Sequence, residues 1–457
     1  MNVAVPANDP SRERLDALSA IAQQLLDRCR ARGASQAEVS CSEEHGLNVN
    51  VRMGEVETVE STRDRGIAVT VYFGHRKGSA STADLHERSL DATVEQACAI
   101  ARHTEDDPAA GLAAREHMAT PDDDGRFREF DAWHPWGIDA DRAIEIAMAC
   151  ETAGRDSDAR IGNSDGASVG SSESLGVYAN SHGFVGAERS TQHTLGCALI
   201  AGHGEAMQRD GWYTTALSAQ DMEDAAAVGV HAARRAASRL DPRSLPTGEM
   251  PVLFSAEVAR SLVGHLIGAV SGGALYRRSS FLLDSLGQAL FPAWFAIDEL
   301  PFLPRGFRSA AFDAEGVATR ESALVRDGVL QRYILGSYSA RRLGMETTGN
   351  AGGVHNLQVK ANAGGFDELL RGMRDGLLVT ELMGQGVNPV TGDYSRGAAG
   401  FKVENGAIAY PVDGITIAGN LKSMFQALEA VGSDIDPRSH VRTGSILVGR
   451  MTVAGDS

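Results

Sequence analysis

The strongest constraint on this chain is an alternation of apolar and polar residues that recurs in short runs from one end to the other. Leu47, Val49 and Val51 alternate with polar neighbours, Val56 and Val59 follow, and Ile67, Val69, Val71 and Phe73 repeat the pattern. A period of two puts one side chain in and the next out, which predicts half-buried antiparallel strands rather than the continuous apolar strands of a parallel sheet. The 51 glycines sit mostly beside these runs, as a chain with many tight turns requires.

Helical spacing interrupts the alternation at a few places. Leu18, Ile21, Leu25, Leu26 and Cys29 recur at three and four residues, and Gly33 ends the pattern. A second helix is expected from Ala83 to Arg102. After a polar connection, His103 to Trp136, containing Pro108, Pro121 and Pro135, the unit restarts. Helical sequence spans Ile138 to Gly154, strands Ser174 to Ala179 and Phe184 to Ile200 flank a turn at Asn180 to Gly183, and Asp221 to Leu240 is helical. The repeated order of helix, strands and helix suggests an internal duplication. At 457 residues the chain exceeds one ordinary core. Asp241-Pro242 and Leu245-Pro246 supply the break, giving an N-terminal α+β domain (1–240) with an antiparallel sheet and a C-terminal β-rich domain (241–457).

In the second half, Asp327-Gly328 and Asn405-Gly406 each separate two strand-like runs, and both dipeptides accept the positive φ of a type I′ hairpin turn. A barrel-like sheet is expected, with short helices at Gly336 to Leu343 and Asn420 to Val431. The fold class is therefore α+β.

Composition narrows the function classes. A formal charge of −17 with no basic cluster argues against nucleic-acid binding. The acidic run Asp122 to Asp124 reads as a solvated loop. Met1 to Pro10 lacks the features of an export signal, and no window holds about 18 apolar residues, so neither export nor a membrane span is expected. Five cysteines without paired spacing suit a reducing compartment, and a cytoplasmic protein is the expectation.

Few motifs carry chemistry. Gly166-Ala167-Ser168-Val169-Gly170 has nucleophile-elbow spacing, but a strand follows where the elbow needs a helix. His193 and Cys197 share a strand face while His203 points away, so they form no metal set. Ser255 is the expected N-cap of a helix from Ala256 to Val270 whose stripe is Leu262, Val263, Leu266, Ile267 and Val270. His265 lies on that helix, and one turn earlier stand Arg260 and Ser261, a cation that repels zinc and a hydroxyl that is no ligand for it. The run Thr347 to Asn356 is dense in glycine and allows close backbone approach to a ligand or strand.

The segments Glu257 to Phe281, Phe312 to Gly328, Leu343 to Gln358, Thr380 to Gly400 and Asn405 to Asn420 resemble the PmbA/TldE branch of the TldD/PmbA metallopeptidase family over nearly the whole chain. In the TldD branch the corresponding helix carries His-Glu-x-x-x-His, with zinc on the histidines, the glutamate as base and a C-terminal cysteine as third ligand. Here the motif falls on Arg260 to His265, only the second histidine remains, and no cysteine follows Cys197.

The resemblance implies a subunit with no metal and no catalytic residue of its own, closing a chamber against a TldD-type partner that supplies the zinc. Its substrates would be extended peptides such as antibiotic leader peptides or an antitoxin. In isolation it would form a homodimer. His265, Tyr276, Arg277, His355, Asn356 and Asn388 are the candidate chamber or interface residues. Two alternatives stand beside this one: a peptidase using His265 with His355 or His440, and a regulatory protein that modulates gyrase or a carbon-storage regulator.

Overall fold

The computed structural model describes residues 9–123 and 125–455. Residues 1–8 of the segment read above for export signals, and Asp124 of the acidic run, lie outside them. The chain starts with α1 (Pro10–Ala31), whose Asp9 side chain accepts the Ser11 amide at the N-terminus and whose Leu15, Leu18, Leu25, Leu26 and Cys29 are buried. Gly33, at φ 84°, ends it. Then come β1 (Gln36–Arg52), β2 (Glu55–Phe73), β3 (Arg76–Thr82) and α2 (Glu87–His103), followed after the polar connection by α3 (Ala140–Ser157), β4 (Ile161–Asn180), β5 (Val185–Ala201), β6 (Gln208–Ala216) and α4 (Ala225–Ser238).

The six strands form one antiparallel sheet in the order β3-β2-β1-β4-β5-β6. That order is a palindrome about the β1–β4 seam, with helix, three strands and helix on either side, as a duplication requires. The register between β1 and β4 runs unbroken from Glu38 opposite Asn180 to Val51 opposite Ala167, so all odd residues of β1 share one face. At one end of that face Val39 and Cys41 pack under α1 and α2. At the other end Val49 and Val51 pack under α3 and α4. Both helix pairs thus cover the same side, and each buried Val or Leu contributes about 1.5–3 kcal/mol. The even residues of the opposite side, including Ser40, Ser42, Ser172 and Ser174, face the second half of the chain.

β4 begins at Ile161, well before the expected Ser174, because residues 162–173 are rich in Gly and Ser and their strand is held by pairing on both sides rather than by apolar alternation. Ser168 lies within this strand, so no strand-to-helix elbow forms.

Past residue 241 come β7 (Gly248–Phe254), α5 (Ala256–Ala269), α6 (Gly272–Tyr276), β8 (Ile297–Glu299), β9 (Ser322–Arg326), β10 (Val329–Leu330), α7 (Ser337–Leu343) and β11 (Leu357–Val359). The chain continues with α8 (Phe366–Met373), β12 (Gly376–Met383), β13 (Asp393–Glu404), β14 (Ala407–Asn420), α9 (Leu421–Gln426), β15 (Leu428–Val431), β16 (Val441–Arg442) and β17 (Ile446–Ala454). Strands β14-β13-β12-β7-β17 pair in sequence, and β14 pairs back onto β17, closing a five-stranded barrel. A smaller sheet, β10-β9-β8-β11-β16, lies beside it.

Both expected hairpin turns form, at Asp327-Gly328 (φ 52° and 75°) and Asn405-Gly406 (φ 52° and 77°). The helix expected from Asn420 to Val431 stops at Gln426, because Leu428 to Val431 pair with β17. Among the described residues, no helix is long and apolar enough to cross a membrane.

Candidate functional site

Helix α5 buries Ala259, Leu262, Val263 and Leu266 in the core that fills the barrel. Ser255 occupies the N-cap position as expected, but its hydroxyl makes no capping bond and is buried without a hydrogen-bond partner among the described residues; its amide is spent on the Val379 carbonyl (3.0 Å).

The rest of the helix carries Glu257, Arg260, Ser261 and His265, and each has a local occupation. Glu257 pairs with Arg235 (3.1 Å) and Arg438 (2.8 Å). Arg260 donates to the Tyr213 hydroxyl from both terminal nitrogens at 3.3 Å. The Ser261 hydroxyl donates to the Val258 carbonyl one turn back (2.6 Å). His265 stands edge-on to Tyr394, ring centroids 5.8 Å apart, with Nε2 buried and without a partner among the described residues. Burial first, and then Arg396, holds its pKa below the ordinary value.

Zinc, which the peptidase motif implies, does not fit these residues. A guanidinium stands at the first ligand position, a hydroxyl at the base position, and the remaining imidazole faces an aromatic ring. Among the described residues no three His, Cys, Asp or Glu side chains are grouped so that they could hold a metal. His440, the nitrogen ligand available near the C-terminus, has its pKa depressed by burial and then by Arg308 and Arg260.

His355 and Asn356 serve a different structure. The Gly-rich run is anchored on buried Glu299, which accepts from Asn350 Nδ2 (2.9 Å) and the His355 amide (2.6 Å) and pairs with Arg332. Asn356 accepts the Arg308 amide (3.1 Å) and donates to the Leu300 carbonyl and Ser309 hydroxyl. The His355 ring lies between the Arg308 and Gly349 carbonyls at 3.1 and 3.2 Å; a neutral ring can donate to only one of them. Asp313 accepts three backbone amides, from Glu315, Val317 and Ala351, while burial pushes its carboxyl up to about 6.

These anchors fix loops 306–314 and 351–355 across the uncovered side of the N-terminal sheet, enclosing a cavity of about 630 Å³. Its sheet wall presents Ser42, Ser172, Ser174, Ser190, Gln192 and Glu188. Glu188 keeps water-accessible surface yet is walled in closely, and that burial raises its pKa against the pull of His355 and Arg308. A second cavity, about 510 Å³, adjoins it through Ser40, Tyr178 and Ala314 and is lined by Glu38, Tyr72 and Tyr338.

The remaining predicted residues lie elsewhere. Tyr276 meets Tyr338 edge-on (5.7 Å) beneath Arg277 and Arg342, and Tyr338 donates to Asp107 (2.8 Å) at the second cavity. Asn388 closes the β12–β13 loop, its side-chain Oδ1 accepting the Val390 and Thr391 amides. Sequence reading missed Glu299, Arg332 and Asp313; their signal was charge set within apolar sequence, as in Phe295-Ala296-Ile297-Asp298-Glu299-Leu300.

Fold and site together define a class: a duplicated antiparallel layer joined to a barrel whose peptidase-like helix holds non-ligands at two of its three motif positions. Family models for the PmbA/TldA metallopeptidase match in order, domain 1 over residues 37–101, the central domain over 133–240 and the C-terminal domain over 247–455. The chain belongs to the PmbA/TldD metallopeptidase family. It is 47% identical over 419 residues to the metalloprotease PmbA of Escherichia coli O157:H7, covering 92% of each chain. It is 46% identical to the PmbA homolog of Haemophilus influenzae, covering 93% of each. A Bacteroides thetaiotaomicron structure described as a proposed modulator of DNA gyrase superposes with a TM-score of 0.91 at 26% identity, over 96% of this chain and 99% of that one. TldE from Thermococcus kodakarensis shares the fold, with a TM-score of 0.83 at 19% identity over 95% and 100% of the chains.

Proposed function

We propose that this chain is the non-catalytic subunit of a metallopeptidase complex in which a TldD-type partner carries the zinc and this chain helps to enclose extended peptide substrates. One observation carries the reading: at the motif positions of α5, Arg260 and Ser261 replace ligand and base, and both are bound locally, to Tyr213 and to the helix itself.

The cavities supply the second element. A sheet wall of serine hydroxyls offers hydrogen bonds to the backbone of an extended polypeptide without selecting its side chains, which suits an enzyme acting on unfolded chains. Glu188 and Arg308 add one group of each charge at the wall.

The test is reconstitution. A purified TldD-type chain is assayed on an unfolded peptide with and without this protein, and metal is quantified in each. The expectation is cleavage that depends on both chains, with zinc in stoichiometric amount only when the partner is present. Cleavage by the partner alone at an unchanged rate sinks the subunit reading, and zinc-dependent cleavage by this chain alone replaces it with an autonomous peptidase.

A further inference from the structure

One carboxylate on the wall of the larger cavity has no partner. Glu188 stands on β5 and lines that cavity, and among the described residues it makes no hydrogen bond and no ion pair. The cations whose charge reaches it, His355 and Arg308, stay beyond ion-pairing distance. Arg189, the next residue, pairs with both Asp9 and Glu129. An ionised carboxylate walled in closely and left unpaired destabilises the free protein, and a serine like its neighbours Ser174 and Ser190 would line the wall without that cost. The group is one that an incoming cation would satisfy.

The surroundings of Glu188 leave room for a side chain. Directly across the ladder lies Gly176, and beyond it Ser42 of β1. A Cβ at Gly176 would stand 3.4 Å from Glu188 Cγ and 3.5 Å from Oε1, so the carboxylate lies over bare glycine backbone. These three positions floor a trough two strand spacings long, roughly 10 Å. Its one flank is aromatic. Tyr178 stands two residues along β4, and opposite it Gly186 lets Phe312 close onto the sheet, since a Cβ there would come within 2.5 Å of the ring. Phe127 meets Phe312 edge-on at 4.9 Å. The other flank carries Ser174 and Ser190.

A carboxylate at one end, aromatic rings on one side and hydroxyls on the other suit a guanidinium, which pairs with the first and stacks on the second. An ammonium pairs as well but stacks less effectively. Arg308 opposes any cation from the loop wall, and without an ion pair to Glu188 it lowers the attraction and does not cancel it.

We infer that Glu188 is a specificity-determining residue, which receives a cationic side chain of the extended peptide, arginine before lysine, in the trough over Gly176. The inference rests on the reading of this cavity as a peptide enclosure and deepens it: the serine wall is indifferent to side chains, and Glu188 sets a preference at one position.

Fluorescence anisotropy of the full chain, alone and with a TldD-type partner, tests it. The probes are two short unfolded peptides of glycine, serine and threonine, one with a central arginine and one with citrulline, which keeps the shape and loses the charge. The arginine peptide should bind at least tenfold more tightly. Glu188→Gln should bring it down to the citrulline level with unchanged circular dichroism, and Glu188→Asp should keep part of the preference. In reconstituted cleavage, Glu188→Gln should raise KM for the arginine peptide rather than lower kcat. The formal charge of −17 attracts any cation, so the loss on Glu188→Gln is what locates the site. Equal affinity of the wild type for the two peptides overturns the inference, as does a preference that survives Glu188→Gln; in both cases the peptides still bind and the enclosure stands. If neither peptide binds, with or without the partner, the enclosure itself fails and this preference with it.

Discussion

The two regions of this molecule reach order by opposite means. The N-terminal layer is held by repetition: long strands, a β1–β4 seam in unbroken register and one helix-covered face. The region after residue 241 is built from shorter strands and long loops, and its loops are fixed by buried polar groups such as Glu299, Asp313 and Asn356. Periodic burial spreads stability over many equivalent contacts, whereas a buried anchor concentrates it in one side chain. The cavities lie where the two kinds of construction meet, with a repetitive wall on one side and an anchored wall on the other.

The largest expected effect attacks an anchor. Glu299→Ala leaves Arg332 buried and unpaired and frees the Asn350 and His355 donors, so it should cost about 3–5 kcal/mol in denaturant unfolding. In the repetitive layer the nearest equivalent is Glu151→Ala. It removes two charge-assisted bonds at the hairpin turn and should cost about 2–3 kcal/mol. Equal losses would break the contrast.

Gly229→Ala addresses packing instead. A Cβ there collides with the Cys150 carbonyl where α4 crosses α3, and overpacking of this kind costs about 1–3 kcal/mol.

Acid should sharpen the comparison further. Burial depresses His193 and His231 in the first region and His265 and His440 in the second. A depressed folded pKa means that the unfolded chain binds the proton more readily. The stability is therefore complete above the ordinary histidine value, about 6.5, and is lost as pH falls through the folded values. Thermal melts should fall below about pH 6, and less so in a His193→Phe, His231→Phe variant if the first region contributes its share. Asp313 and Glu188, both raised, gain stability over the same fall in pH, so the difference between variant and wild type is what decides: an equal change in both excludes His193 and His231. The smallest effect belongs to Ser168→Ala, which should stay within about 0.5 kcal/mol and leave reconstituted cleavage unaltered.

Periodicity and turn chemistry made much of this legible in the sequence. The α1 stripe, the two second-half hairpins and the doubled helix–strand–helix order follow from local residues alone. The Met53-Gly54 turn did not, because methionine rarely adopts the φ of 52° found there, and it is imposed by Glu151, distant in sequence. Barrel closure was illegible in its details because β14 meets β17 through pairing that no local pattern announces. At the site, Arg260 and Ser261 were readable as non-ligands from residue type. That His355 and Asn356 fix a cavity wall was not, since glycine-rich sequence is silent about which carboxylate will anchor it.

The palindromic order of the first sheet also bears on how the chain folds. Hairpins β1–β2 and β4–β5 each close over a few residues and can form early within their own repeat. The β1–β4 seam joins strands separated by more than a hundred residues and must await both. The seam is then also where the repeats complete each other's cores, since Val49 and Val51 of β1 pack with α3 and α4 while Leu175 and Val177 of β4 pack with α1 and α2.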